Sequence, residues 1–242
     1  GDVYKRQGRG ILEGLGSDVS VSEKDVLIRG NFSTVKNVGS KIIIDDRRAG
    51  RITTDTNNRI IKLLQSKINK IDGVGVEFTS GLEHRFVCKL KFKNKLNSSE
   101  VHILDTDPEE VGVAPLIPKN LNQKSQKVSK IVVKLMNLIK ETLKKEKKAN
   151  YALLRGFSIY PKIPKFEYLY GLKAGSIVTY PMYKGISKLV GMNPLYVKNN
   201  TIESQFETLI REYDNYDFFY FHIKKTDSFG EDGNYKKKIN VI

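Results

Sequence analysis

Tryptophan is absent from this 242-residue chain, cysteine occurs once, and histidine three times. The single thiol, Cys88, excludes an intramolecular disulfide and a cysteine zinc site. Its alternating context, FVCKLKF, reads as strand and predicts a packed or half-exposed thiol rather than a nucleophile. No apolar run approaches the roughly 18 residues a membrane helix needs. The opening GDVYKRQGRG has no apolar signal region. A cytoplasmic chain with no membrane partner is therefore expected. GxxxxGK[ST], GxGxxG after a strand, HExxH and GxSxG are all missing. With histidine only at positions 84, 102 and 222, a His-based triad has poor support. An aromatic RNP-like sheet motif is missing too, which argues against RNA as a partner.

Acidic residues are scarce beside basic ones, 27 against 42, for a net charge of +15. That balance suits an anionic partner, nucleic acid or a small phosphorylated molecule. A Lys-, Asn- and Ile-rich composition with solvated lysine faces accounts for much of it without any ligand. The ends read as those of a piece of a longer protein. There is no initiator Met, Gly1 to Gln7 resemble a cloning or assembly scar, and YKKKINVI stops within a helical pattern.

Residues 25–36 and 41–46 read as strands, the second ending in two carboxylates. Apolar spacing predicts a helix over 54–71, capped by Thr54, Asp55 or Thr56. Residues 74–79 and 84–92 alternate like paired strands. DTDPEEVG at 105–112 is an acidic turn, since Pro108 cannot sit in a helix interior. A long amphipathic helix is predicted over 123–145, with lysines on its outer face. Beyond a hinge near 145–150, strands at 151–157, 173–180 and 217–223 alternate with helices at 181–191 and 202–213. That alternation implies βα units and a mostly parallel sheet.

Three stretches could carry chemistry. DDRRAGR (45–51) packs planar guanidinium donors beside Gly50, and such forks match phosphate and carboxylate oxygens. A surface ion-pair cluster is the alternative that spacing leaves open. Arg29 lies on a neighbouring strand. Glu83-His84-Arg85 opens a strand and could hold an anion or donate a proton. HIKKTDSFGEDGN (222–234) reads as a loop at the carboxyl end of a parallel-type sheet. Its Asp227, Glu231 and Asp232 suit an oxygen-preferring cation, or simply form a polar loop. Arg155 follows a buried-looking strand, and Lys184 lies near a helix start, where anions meet backbone N–H groups.

In order along the chain, GRGILEGLG, VLIRGNFSTV, IDDRRAGRI, EHRFV, DTDPEEVG, ANYALLRGFS, YGLKAGSIV, YKGISKLVGM and HIKKTDSFGEDGN resemble the archaeal-type cofactor-independent phosphoglycerate mutases of the alkaline phosphatase superfamily. The resemblance implies an α/β fold: a phosphatase-like core with a mostly parallel sheet, interrupted by an inserted α+β substrate-binding domain. Residues 1–20 would be the tail of the first core segment, 21–148 the insert and 149–242 the truncated second core segment. It also implies interconversion of 3- and 2-phosphoglycerate through a phosphoserine, with two divalent metals and no bisphosphoglycerate. Mn²⁺ or Mg²⁺ is expected, with Co²⁺ or Zn²⁺ as further choices. By resemblance, Asp46, Arg47 and Arg51 bind substrate, with His84, Arg85, Arg155 and Arg29 beside them. Lys184 contacts the transferring phosphoryl group, and Asp227 is a metal ligand. Glu231 stands where the family motif has a metal-binding His. The serine nucleophile lies outside this chain, so the fragment alone is expected to be inactive. A metal-dependent phosphatase, or a mutase of another phosphorylated acid, is the alternative. A basic RNA-binding module is a distant third.

Overall fold

In the computed structural model, residues 8–231 and 233–241 are described. The chain divides into two compact units between Pro161 and Lys162. The first contains α1 (Arg9–Gly16), β1 (Asp25–Val38), β2 (Lys41–Asp46), α2 (Thr54–Lys67), β3 (Lys70–Ile71), β4 (Val74–Ser80), β5 (Arg85–Lys91), α3 (Gln126–Leu143) and β6 (Tyr151–Ser158).

Alternation along β1 sets this unit's architecture. Val26, Ile28 and Phe32 point to one face, where Val76, Phe86, Cys88, Leu90, Ala152 and Leu154 join them. Ile60 and Leu64 of α2, and Ile131, Leu135 and Ile139 of α3, close that core. Phe32 and Phe86 stack with ring centroids 4.6 Å apart. Burying one such side chain contributes about 1.5–3 kcal/mol. Because strand side chains alternate, Leu27, Arg29, Asn31 and Ser33 occupy the opposite face. Register adds Arg85 opposite Asn31, and Arg155 opposite Arg29. α1 covers the Leu27 end of that face, where the Ile11 amide donates to Ser158 Oγ at 2.8 Å. The sheet is thus apolar on one side and partly polar and basic on the other.

Every pair in this six-stranded sheet is antiparallel: β1 with β2, β5 and β6, and β4 with β3 and β5. The mostly parallel sheet was expected of the core segment, residues 149–242. Within it the placement of residues 151–157 is corrected: they run antiparallel to β1. Their apolar run reflects burial of both faces, which either kind of sheet can impose.

α2 begins where Thr53 Oγ1 accepts from the Thr56 amide. It stops at Lys67 rather than continuing to residue 71, because Ile68 turns extended with φ −130°. Ile71 then pairs with Val74 across Asp72-Gly73, whose φ values of +46° and +83° form a tight hairpin turn.

The second unit contains α4 (Phe166–Tyr170), β7 (Ala174–Ile177), α5 (Pro181–Leu189), β8 (Asn193–Pro194), α6 (Ile202–Glu212), β9 (Phe218–Phe221), α7 (Lys224–Glu231) and α8 (Tyr235–Ile239). Its three-stranded sheet, in the order β8-β7-β9, is parallel in both pairs. The segment read as a loop at 222–234 forms α7 over most of its length. Lys224 pairs with Asp227 one turn on, and Thr226 Oγ1 donates to the Ile223 carbonyl at 2.8 Å, which supports the first turn. No helix among the described residues is long and apolar enough to cross a membrane.

Candidate functional site

The polar face of the first unit gathers guanidiniums from four segments. Arg29 comes from β1, Arg85 from β5, Arg155 from β6, and Arg47, Arg48 and Arg51 from the turn after β2. That turn is held by Asp46: Oδ1 accepts from the Arg48 amide at 2.7 Å and Oδ2 from the Gly50 amide at 2.6 Å. Ala49 and Arg51, both non-glycine, have φ near +50°. A left-handed conformation at such residues costs energy and persists where surrounding bonds impose it. Asp46 therefore has both oxygens engaged by backbone donors, and in this structure it shapes the arginine turn.

The acidic turn lies between the arginines because it is bonded on both sides. The Thr106 amide donates to the Leu154 carbonyl at 2.8 Å, and Thr106 Oγ1 accepts from the Leu154 amide at 2.7 Å. On the other side, the Gly112 amide donates to the Ile44 carbonyl, and the Ile44 amide to the Val113 carbonyl, both at 2.8 Å. Asp107 is thereby placed between β2 and β6. Its carboxylate takes Arg47 Nε and Nη2, each at 2.9 Å, and Arg155 Nη1 at 3.3 Å. Arg47 Nη1 reaches the Glu109 carbonyl at 2.9 Å, and Arg155 Nη2 bonds the Glu109 carboxylate. Burial pushes the Asp107 carboxyl up, but the hydrogen bond from Arg47 and the neighbouring charges hold it below its usual value. Asp105 moves the other way. Burial raises it, although its Oδ1 accepts from the Gly156 amide at 2.7 Å.

His84 is buried at 3% exposure, and its Nδ1 has no hydrogen-bond partner. Its pKa is lowered to about 4, first by burial and then by the charges of Arg85, Arg48, Arg29 and Arg51. A neutral imidazole amid four cations can give or take one hydrogen bond without adding charge. The same four cations favour an anion in their midst.

The structure thus brings Arg29, Arg51, Arg85 and His84 into one electropositive group, and Arg47 with Arg155 into an adjoining ion-pair network. Arg48, Asp107 and Glu109 belong to these groups and were not among the residues singled out in the sequence. Arg48 lies within DDRRAGR, and an acidic turn facing an arginine-rich one was a usable signal. A cavity of about 480 Å³ opens beside Arg51, lined by Gly50, Thr53, Lys145, Lys147 and Lys148.

The other candidates fall in the second unit. Lys184 lies in the first turn of α5, its amide bonded to the Tyr180 carbonyl at 3.1 Å. His222 stacks on Tyr183 with ring centroids 3.6 Å apart. Asp227 pairs with Lys224, which with its hydrogen bond holds the carboxyl below its usual value. Glu231 follows one helical turn after Asp227. Its side chain, and all of Asp232, lie outside the described residues. Among the described residues no three His, Cys, Asp or Glu side chains group as a metal site would require.

Comparison with known proteins agrees with the order of motifs. The chain is 48% identical to a probable 2,3-bisphosphoglycerate-independent phosphoglycerate mutase of Aquifex aeolicus, over all of its length and 60% of that protein. It is 46% identical to the protein of the same description in Thermotoga maritima, covering 58% of it. The chain therefore spans about 60% of the length of the curated relatives it matches. Among solved structures, the cofactor-independent phosphoglycerate mutase of Thermoplasma acidophilum superposes with a TM-score of 0.62 at 22% identity. That match covers 92% of this chain and 60% of the other, and the two share a fold. A family model described as 2,3-bisphosphoglycerate-independent phosphoglycerate mutase matches residues 3–149, and the chain belongs to that family.

Proposed function

We propose that the complete protein interconverts 3-phosphoglycerate and 2-phosphoglycerate, and that the first unit holds the phosphorylated acid. The observation that carries this reading is the cluster of Arg29, Arg48, Arg51 and Arg85 around a neutral, buried His84. Family membership selects the ligand from among the anions such a cluster would accept. Arg47 and Arg155, kept in place by Asp107, extend the same basic surface. The domain reading is part of the proposal. The antiparallel unit would contain the inserted substrate domain, residues 21–148, and the parallel unit would be part of the phosphatase-like core.

In the second unit Lys184 would contact the transferring phosphoryl group. Asp227 fits a metal as a deprotonated oxygen donor, and Glu231 is spaced one turn away on the same helix. Divalent ions there, Mn²⁺ or Mg²⁺ by the oxygen chemistry of these donors, would stabilise charge on the attacking and leaving oxygens. The described residues do not complete a metal site. Glu231, in place of the motif's His, favours one second reading: the same scaffold acting on another phosphorylated acid, or as a phosphatase.

The test uses the complete reading frame, stripped with chelator and assayed by enolase coupling without bisphosphoglycerate. Restoration of 3-phosphoglycerate conversion by Mn²⁺, Mg²⁺, Co²⁺ or Zn²⁺ is the expected result. A folded protein inactive with all four would overturn the mutase reading, and a substrate panel would then decide the second.

A further inference from the structure

Three carboxylates of one turn face Arg155: Asp105 lies 4.0 Å from Nε, and Asp107 and Glu109 bond its two Nη atoms. The two that bond it differ in how firmly they are placed. The Asp107 side chain has no exposed surface. Its oxygens accept from Arg47 Nε, Arg47 Nη2, Arg155 Nη1 and the Glu109 amide. The Glu109 side chain is 62% exposed and closes on the outer nitrogen of Arg155, Nη2. The Glu109 backbone is anchored independently of that side chain. Its amide donates to Asp107 Oδ1 at 3.0 Å, and its carbonyl accepts from Arg47 Nη1 at 2.9 Å. Its φ of +65° is uncommon for glutamate.

We propose that Glu109 is a place-holder in a carboxylate subsite: Asp107 fixes the planes of Arg47 and Arg155, and Glu109 occupies Arg155 Nη2 until the carboxylate of a ligand displaces it. This rests on the reading of the first unit as a holder of a phosphorylated hydroxy acid. It adds which group of that acid goes to Arg155. A ligand carboxylate offers Arg155 Nη2 the same charged acceptor oxygen that Glu109 Oε1 offers. The Glu109 half of this pair is exposed while the Arg155 side chain is 12% exposed, and a carboxylate held from the solvent side exchanges more readily than a buried one. The bonds to buried Asp107 are costly to break, so the arginines stay aligned while Glu109 leaves. Asp107 acts through the arginines and is a positioning residue.

The experiment uses the complete protein, with D-glycerate and inorganic phosphate as separate calorimetric probes. Glu109→Gln keeps the backbone bonds and removes the competing charge. It is expected to bind D-glycerate about 2–5-fold more tightly, the gain from releasing a weak competing pair. Phosphate affinity should change little, which separates a carboxylate subsite from a general anion site. In the same assay used for turnover, the KM of Glu109→Gln should fall. Asp107→Asn should raise KM, and in an Arg155→Ala background Glu109→Gln should have no effect. Unchanged or weaker D-glycerate binding by Glu109→Gln would overturn the proposal, as would an equal gain for phosphate or no D-glycerate binding by either form. A protein that shows the D-glycerate gain but converts no phosphoglycerate would overturn the mutase reading alone.

Discussion

Asp107 grips Arg47 with both oxygens, Nε to Oδ1 and Nη2 to Oδ2, each at 2.9 Å. Two arginine-bearing segments far apart in sequence, the turn after β2 and the end of β6, meet on this one carboxylate. Asp107→Asn should therefore do more than lose a charge. One amide nitrogen would face a guanidinium donor inside a buried site. A loss of roughly 2–4 kcal/mol is expected, read as a lower denaturant midpoint at unchanged slope.

Thr106 is what keeps Asp107 in reach of Arg155. Its hydroxyl accepts from the Leu154 amide at 2.7 Å and also donates to the Leu154 carbonyl at 3.2 Å. Thr106→Val keeps the shape and leaves the buried Leu154 amide unpaired. The expected cost is about 1–3 kcal/mol. Weaker D-glycerate binding should accompany it, since the acidic turn loses a tie to β6. Thr106→Ser, which retains the hydroxyl, should restore most of both.

Gly30 lies under the ring of Phe86. A Cβ at this position would sit 2.1 Å from Phe86 Cζ, far inside contact distance. Phe86 is fully buried and stacked on Phe32, so it has little room to yield. Gly30→Ala should destabilise by about 1–3 kcal/mol or more, as overpacking does. Thermal unfolding would show it, and a compensating Phe86→Leu should recover part of the loss.

His84 predicts a pH dependence with a definite sign. Its pKa falls from 6.5 to about 4 on folding. The unfolded chain therefore binds more protons between those values, and stability rises with pH across that window. The contribution is full above pH 6.5 and drains away as pH falls toward 4. By the usual conversion it amounts to roughly 3 kcal/mol. His84→Gln should flatten the dependence of unfolding free energy on pH over this range. An equally steep curve in the variant would assign the slope to other groups.

Much of the secondary structure was legible in the sequence. The 3.6-residue spacing of Val128, Ile131, Val132, Leu135, Leu138, Ile139 and Leu143 marks α3, and all of these but Leu138, which is exposed, are buried. Alternation in VGVEFTS and RFVCKLK marks two strands that pair antiparallel. The Asp72-Gly73 turn was also written there, as a short-range hairpin signal that the helix reading over 54–71 did not use. KKTDSFGE reads poorly as helix because Thr, Asp, Ser and Gly have low propensity. It forms α7 with local support from Lys224–Asp227.

The candidate site was legible as residue types and order. IDDRRAGRI and EHRFV pointed to anion binding, and the arginines and His84 do converge. Their individual roles were not legible. Arg47 was expected to bind substrate, and the structure adds that Asp107, 60 positions away, holds it in place. Asp46 was expected beside it, and its oxygens hold the turn's backbone.

The sequence by itself determined the family, the periodic elements and the supply of guanidinium and carboxylate groups. Those depend on residue identity and near-neighbour spacing, which a linear string contains. Only the tertiary structure decided that residues 151–158 run antiparallel to β1, and which carboxylate each arginine meets. Both depend on pairing across long stretches of chain. A buried strand's apolar run is the same for either direction of its neighbour. An arginine's partner is set by where the backbone bonds of Thr106 and Ile44 place the acidic turn.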